Sequence, residues 1–182
     1  MLEPELKFEV LPLSLVGMPG SGKSSIGREV AKRLGRPFVD CDKVVEQRAG
    51  CTIARLFERD GETAFRDLEA EVLVTLLEDR SSVVATGGGA VLRAINRELL
   101  RTRSQCVFLN ASPAFLWQRL RRDRRRPLLQ VAEPEERLRE LFVERELLYR
   151  ETASVVIDAE SAPFDRLVAT ILGHVGSGVQ AP

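Results

Sequence analysis

The chain has 182 residues, enough for one domain with a sizeable core and room for an excursion. Lys plus Arg and Asp plus Glu both total 27, so no overall charge points to nucleic acid or an anionic membrane. No apolar run approaches the roughly 18 residues of a membrane span, and no basic start, apolar segment and cleavage site marks a secretory signal, so a cytoplasmic protein is expected.

Residues 1–11 read as a short polar lead-in that frays. Leu13-Ser14-Leu15-Val16 then suits a buried strand, and Gly17-Met18-Pro19-Gly20-Ser21-Gly22-Lys23-Ser24 follows as G-x-x-x-x-G-K-S. Ile26, Val30, Ala31 and Leu34 fall at helical spacing over Ser25 to Leu34. Strand, glycine loop and helix are the order a phosphate-binding loop requires. The glycines let the backbone approach an anion without a Cβ in the way. The N–H groups of Gly20, Ser21, Gly22, Lys23, Ser24 and Ser25 can converge on phosphates at a helix N-terminus. Lys23 reaches the β- and γ-phosphates as a point charge, and the Ser24 hydroxyl can ligate Mg²⁺. A nucleoside triphosphate, ATP with magnesium, is the expected ligand.

Gly35 stands where a helix C-cap is wanted, and Pro37-Phe38-Val39 reads as a second strand. Helical stretches follow around Lys43–Ala49 and Thr52–Arg59, with Thr52 as N-cap and Gly61 as a break. Glu62–Asp79 is a long helix whose stripe is Phe65, Leu68, Val72, Leu73, Leu76 and Leu77. Ser82–Ala85 is a third strand running into Gly87-Gly88-Gly89. A helix over Arg93–Arg103, a strand over Cys106–Leu109 and a helix opened by Ser112-Pro113 come next. Glu133–Arg150 is helical and strongly charged, Ser154–Asp158 is a fifth strand, Pro163–Val175 is the last helix, and 176–182 is a loose tail. Strands alternating with helices imply an α/β protein: a three-layer sandwich, with a five-stranded parallel sheet and helices on both faces. Ligands of such sheets bind beyond the carboxyl ends of the strands.

Several groups along that edge could carry chemistry. Asp40 and Asp42 alternate, so on an extended segment they share a side. They are either a carboxylate pair near Mg²⁺ and an acceptor hydroxyl, or, for Asp42, the N-cap of the next helix. Arg66 and Glu69 can pair on one helix face, either as a surface ion pair or as a fork held to grip a carboxylate. Gly87, Gly88 and Gly89 waste conformational entropy unless the backbone must approach a small ligand closely. Six arginines lie between Arg119 and Arg126. They fit a solvated helix end, a nucleic-acid contact, or a lid carrying a cis arginine for the transferred phosphoryl group. Neutral overall charge and the lack of interleaved aromatics argue against nucleic acid. Arg145 alone reads as part of a solvated face. The three cysteines, Cys41, Cys51 and Cys106, lack metal spacing and suit small buried residues in a reducing compartment. The single histidine, His174, leaves no partner for a zinc site or a Ser-His triad.

Taken in order, the phosphate loop, Phe38-Val39-Asp40-Cys41-Asp42, Phe65-Arg66-Asp67-Leu68-Glu69, Thr86-Gly87-Gly88-Gly89, Arg126-Pro127-Leu128-Leu129 and Arg145-Glu146-Leu147-Leu148-Tyr149-Arg150 resemble the shikimate kinase family. The resemblance spans about Leu13 to Leu172 and implies a P-loop kinase sheet of the nucleoside monophosphate kinase type. It also implies a substrate-binding excursion at about 41–70 and a lid at about 120–133. Asp42 would hold the shikimate hydroxyls, Arg66 and Arg145 its carboxylate, and Gly87, Gly88 and Gly89 would give backbone contacts. Arg126 would act on the phosphates, Arg119 would lie along the adenine, Ser161 would stand in the loop walling it, and Asp40 would support Mg²⁺ through water. The implied enzyme is a monomer taking shikimate and ATP, with no nucleic acid or membrane partner. Leu147 stands where the family usually has proline, a difference expected to concern packing. A gluconate-kinase-like enzyme and a non-catalytic ligand-sensing domain of the same fold are the alternatives. An intact Lys23, Ser24 and Asp42 speaks against the second.

Overall fold

The structure is a computed structural model that describes residues 10–121 and 131–177. Among the described residues five strands form one sheet: β1 (Leu13–Val16), β2 (Phe38–Asp40), β3 (Val83–Ala85), β4 (Gln105–Asn110) and β5 (Val155–Asp158). Their order is β2-β3-β1-β4-β5, and every neighbouring pair is parallel. Leu15 of β1 registers with Ala85 on one side and Val107 on the other, which aligns the strand ends along one edge. β1 is buried throughout, as a central strand of a two-sided sheet must be.

Among the described residues seven α-helices flank these strands: α1 (Lys23–Leu34), α2 (Cys41–Ala49), α3 (Ile53–Glu78), α4 (Ala94–Arg103), α5 (Pro113–Leu120), α6 (Pro134–Thr152) and α7 (Phe164–Ser177). The local signals hold where the chemistry is explicit. Thr52 Oγ1 accepts from the Arg55 N–H at 3.3 Å, and Ser112 Oγ accepts from the Phe115 N–H at 3.2 Å, both as N-caps. Gly35 closes α1 in the left-handed region, at φ 65°. α7 runs to Ser177, two residues into the expected tail, and 178–182 lie outside the described residues, as do 1–9 of the expected lead-in.

The break expected at Gly61 is present: two helical stretches meet there in a kink within α3, with Gly61 non-helical at φ 83° and ψ 173°. One expectation changes. The helix expected from Lys43 starts instead at Cys41, directly after β2. Asp40 is therefore its N-cap residue, without a side-chain capping bond, and Asp42 sits in the first turn. The two aspartates are thus not neighbours on an extended segment, and they do not share a side.

The main core packs both sheet faces, with Leu15, Val30, Leu73, Phe108, Leu116, Leu141 and Ile171 among its members. Each such side chain contributes about 1.5–3 kcal/mol when fully buried. A second apolar cluster holds Cys41, Val45, Leu56, Phe65 and Val72, between α2 and α3. Cys41 and Cys106 are buried as expected, while Cys51 is only partly so, and all three are free thiols.

Candidate active site

β1 is followed by a loop in which Gly17, Gly20 and Gly22 all have positive φ, and α1 then begins at Lys23. A Cβ at Gly17 would stand 2.7 Å from the Leu109 carbonyl oxygen, so the loop is seated against β4 with no room for a side chain. No carboxylate occupies the first turn of α1. The positive end of that helix is left for an external anion. Lys23 is 9% exposed, and its ammonium donates to the carbonyls of Gly17 at 2.8 Å and Met18 at 3.0 Å. The loop therefore holds the cation inside its own curve. Ser21 is buried and its Oγ has no partner among the described residues. Ser25 is exposed at the next turn.

Ser24 Oγ donates to Asp40 Oδ2 at 2.7 Å, which ties the start of α1 to the end of β2. Among the described residues no group of three or more His, Cys, Asp or Glu side chains could cage a metal. A hydroxyl and one carboxylate suit Mg²⁺, which keeps waters and takes its remaining ligands from phosphates.

The second half of the site lies around the triple glycine, beyond the end of β3. A Cβ on Gly87 would meet Glu69 Oε1 at 2.5 Å and Asp42 Oδ1 at 2.7 Å. The two carboxylates thus converge on one α-carbon, from α3 and from α2. A Cβ on Gly89 would collide with the Arg66 guanidinium, and one on Gly88 would stand 2.9 Å from Pro19 Cδ of the phosphate loop. Entropy is spent here because side chains from three elements occupy the space a Cβ would need. The close approach at the triple glycine is made in the first instance by the protein's own side chains.

Arg66 and Glu69 are not a surface pair. They are 7% and 0% exposed, and Arg66 Nη1 donates to Glu69 Oε2 at 2.7 Å. Glu62 takes Nη2 of the same fork at 3.2 Å. Glu69 Oε1 is buried without a partner among the described residues. Burial raises the Glu69 carboxyl, Arg66 lowers it, and the neighbouring Asp42 raises it again, with a net upward displacement. Arg145, 2% exposed, lies on the buried face of α6 with Leu138, Leu141 and Tyr149, not on a solvated one. Its charge also acts on Glu69, so Arg66 and Arg145 meet around one carboxylate. Arg145 Nε is buried and has no partner among the described residues. Arg66 is held by Glu69 and Glu62, whereas Arg145 keeps a buried N–H for an acidic ligand.

An expected result tests this pairing. Glu69→Ala strands the buried Arg66 with only the exposed Glu62, and should cost about 3–5 kcal/mol, a fall in Tm on the order of 10 °C. The pH dependence follows from the raised carboxyl. Between Glu69's unfolded and folded values the folded state holds more protons, so stability falls as pH rises through that interval. Glu69→Gln should flatten that slope. Thermal unfolding of wild type and both variants across the interval measures it, and an unaltered slope in Glu69→Gln would reject the assignment.

At the nucleotide end, the Leu120 side chain packs on Gly20, and Arg119 Nη1 comes within 4.0 Å of where a Gly22 Cβ would be. Arg119 is exposed and its guanidinium lies over the Phe115 ring at 5.5 Å. Ser161 Oγ donates to the Asp158 carbonyl at 2.9 Å, in the turn that follows β5. Arg126 lies outside the described residues, as do 122–130 of the expected lid. Leu147 is 67% exposed, so the expected packing difference at that position is a surface change instead. The sequence reading passed over Tyr149 and Met18, both fully buried beside Gly88. Tyr149 was detectable as an apolar residue four positions after Arg145, on the same helix face.

A parallel sheet of order 2-3-1-4-5, a phosphate loop at its centre and a charged acceptor pocket on the β2–β3 side define a P-loop kinase for small acidic molecules. The family model for shikimate kinase matches residues 19–175. The shikimate kinase of Paracidovorax citrulli is 49% identical over 179 residues, covering 94% of this chain and 96% of its own. The structure of shikimate kinase from Acinetobacter baumannii in complex with shikimate superposes with a TM-score of 0.89 at 42% identity, covering 96% and 98% of the two chains. That of shikimate kinase from Bacteroides thetaiotaomicron does so with a TM-score of 0.83 at 30% identity, covering 91% and 98%. The chain belongs to the shikimate kinase family.

Proposed function

We propose that this protein transfers the γ-phosphoryl group of ATP to the 3-hydroxyl of shikimate, giving ADP and shikimate 3-phosphate in the route to chorismate and the aromatic amino acids. The buried cluster of Arg66, Glu69 and Arg145 against the triple glycine carries this reading. It presents two cationic forks to a carboxylate a short distance from a phosphate loop, as an acidic polyol acceptor requires. The relation to the shikimate-bound Acinetobacter baumannii enzyme supports the same acceptor.

In this reading the loop N–H groups and α1 hold the phosphates, and Lys23 neutralises charge on the γ-phosphoryl oxygens. Asp42 orients the acceptor hydroxyl, either as the base that takes its proton or as a hydrogen-bond acceptor alone. Ser24 Oγ, and Asp40 through water, would hold Mg²⁺, which when bound spreads the developing phosphate charge. Arg126 acts on the transferred group from the segment 120–133, which serves as the lid, and residues 41–70 form the acceptor-binding excursion. Arg119 and Ser161 line the adenine. The enzyme acts as a monomer in the cytoplasm, without nucleic-acid or membrane partners. No helix among the described residues is long and apolar enough to cross a membrane.

A coupled ADP-release assay with shikimate, quinate and gluconate tests the acceptor. Arg66→Ala and Arg145→Ala should each raise the shikimate KM by roughly one to two orders of magnitude, since each removes charge-assisted bonds of about 1.5–3 kcal/mol. The ATP KM should barely move. Arg66→Lys should not rescue, because an ammonium cannot reproduce the fork held by Glu69 and Glu62. An unchanged shikimate KM in both alanine variants would rule out the clamp.

A further inference from the structure

Four elements meet at the Gly88 carbonyl. Tyr149 of α6 donates its hydroxyl proton to it, and Arg145 Nη1, one turn earlier on the same helix, donates to it at 3.3 Å. Met18 of the phosphate loop brings its Sδ to 3.7 Å from the Tyr149 oxygen. The Tyr149 ring is fully buried and stacked on Phe108 of β4, with centroids 4.9 Å apart. Stacking fixes where the hydroxyl sits, and burial pushes the phenol up. It therefore stays a donor throughout the working pH range.

The two donors are not equivalent. The phenol has a single proton and can give it to Gly88, whereas Arg145 gives Gly88 only Nη1, at 3.3 Å, and its Nε has no partner among the described residues. The Arg145 guanidinium also faces the Tyr149 hydroxyl and acts on Glu69, but its buried Nε is left for a ligand, provided that Gly88 does not draw the group in. From this geometry we infer that Tyr149 is a positioning residue for the acceptor. Its hydroxyl satisfies the Gly88 carbonyl, so that Arg145 is left to bind the acceptor's carboxylate. The inference rests on the proposed shikimate kinase activity and extends it to a residue that does not touch the substrate. Without the hydroxyl, the half-buried carbonyl would have Arg145 alone among these donors, which draws the guanidinium toward Gly88. The same carbonyl belongs to the planar Gly88–Gly89 peptide, so its direction also sets that of the Gly89 N–H.

The test is Tyr149→Phe, which keeps the ring and its stack and deletes only the hydroxyl. The shikimate KM should rise about tenfold with the ATP KM within twofold. In an Arg145→Ala background the same change should add less than twofold, because there is no guanidinium left to misplace. A residue serving packing alone would affect both substrates alike and add fully to Arg145→Ala, and either result overturns the inference. The chain has a single tyrosine, so 3-fluorotyrosine reports this position with the hydroxyl retained. Its ¹⁹F line should shift when shikimate is added to wild type, as Arg145 leaves Gly88, and should not shift in Arg145→Ala. This measurement decides the matter if Tyr149→Phe does not fold, and an unmoved line in wild type counts against the inference. Wild-type turnover of shikimate is the control. Its absence would sink the functional reading, whereas turnover with an unaltered KM in Tyr149→Phe sinks only the role given to Tyr149.

Discussion

Lys23→Ala should leave a folded protein that still binds ATP but transfers its γ-phosphoryl group at least about 10³-fold more slowly. Removing one preorganised donor from a transition-state site typically costs about 10²–10³ in rate, and Lys23 supplies a full charge in a largely buried position. Binding should suffer less than rate. The positive φ values of Gly17, Gly20 and Gly22 are set by the loop's seat against Leu109 and Leu120, not by the lysine. The N–H groups and the end of α1 therefore remain to hold the phosphates. There is a second contribution. In the free enzyme the ammonium bridges the Gly17 and Met18 carbonyls, and alanine leaves those oxygens exposed to incoming anionic oxygens. Steady-state rates, nucleotide titration and Tm on wild type and Lys23→Ala separate these effects. Turnover near that of wild type would show that the loop is not the phosphoryl-transfer site.

Wherever a feature of the fold depended on local chemistry, the sequence carried it. The phosphate loop, the Thr52 and Ser112 caps, the Gly35 terminus and the five strands are each decided by a few adjacent residues. The start of α2 was displaced because Asp42 suits a cap by its residue type as well as Asp40 does, and Asp40 is the one at the N-cap. The chain instead turns into the helix straight from β2, and the Asp40 side chain is engaged by Ser24, 16 positions away. Burial was the other quantity that spacing could not supply. Arg66 and Glu69 read equally well as a surface pair or a buried fork, since i, i+3 spacing is the same for both. Only the packing of α3 against the triple glycine separates the two. Arg145 looked solvated because α6 is densely charged, yet its 138-141-145-149 stripe is the buried one. Nothing local could say that Tyr149 and Met18, 131 residues apart, would meet at Gly88.

Asp42→Asn should lower kcat by about 10²–10⁴, the usual contribution of a positioned acid–base group, while the shikimate KM changes far less because Arg66 and Arg145 are untouched. Asparagine has nearly the same shape, so it still fits beside Gly87, where Asp42 Oδ1 stands 2.7 Å from the position a Cβ would take. Stability should hardly move, because two effects oppose each other. The first turn of α2 loses a favourable negative charge, worth about 0.3–1 kcal/mol. Against this, the buried Glu69 loses a like-charged neighbour that pushes its carboxyl upward. Tm should therefore stay within about 3 °C of wild type, and the Glu69 carboxyl should titrate lower than before. Lost activity could then not be ascribed to lost structure. The pH dependence of kcat distinguishes the two roles open to Asp42. If it accepts the hydroxyl proton, the acidic limb of the wild-type profile vanishes in Asp42→Asn along with the rate. If it only orients the hydroxyl, the amide retains an oxygen acceptor, the loss stays near the lower end of the range, and the limb persists. A kcat within about fivefold of wild type fits neither role, and would move the acceptor hydroxyl away from Asp42 to the other carboxylate at Gly87, Glu69, whose Oε1 is buried without a partner among the described residues.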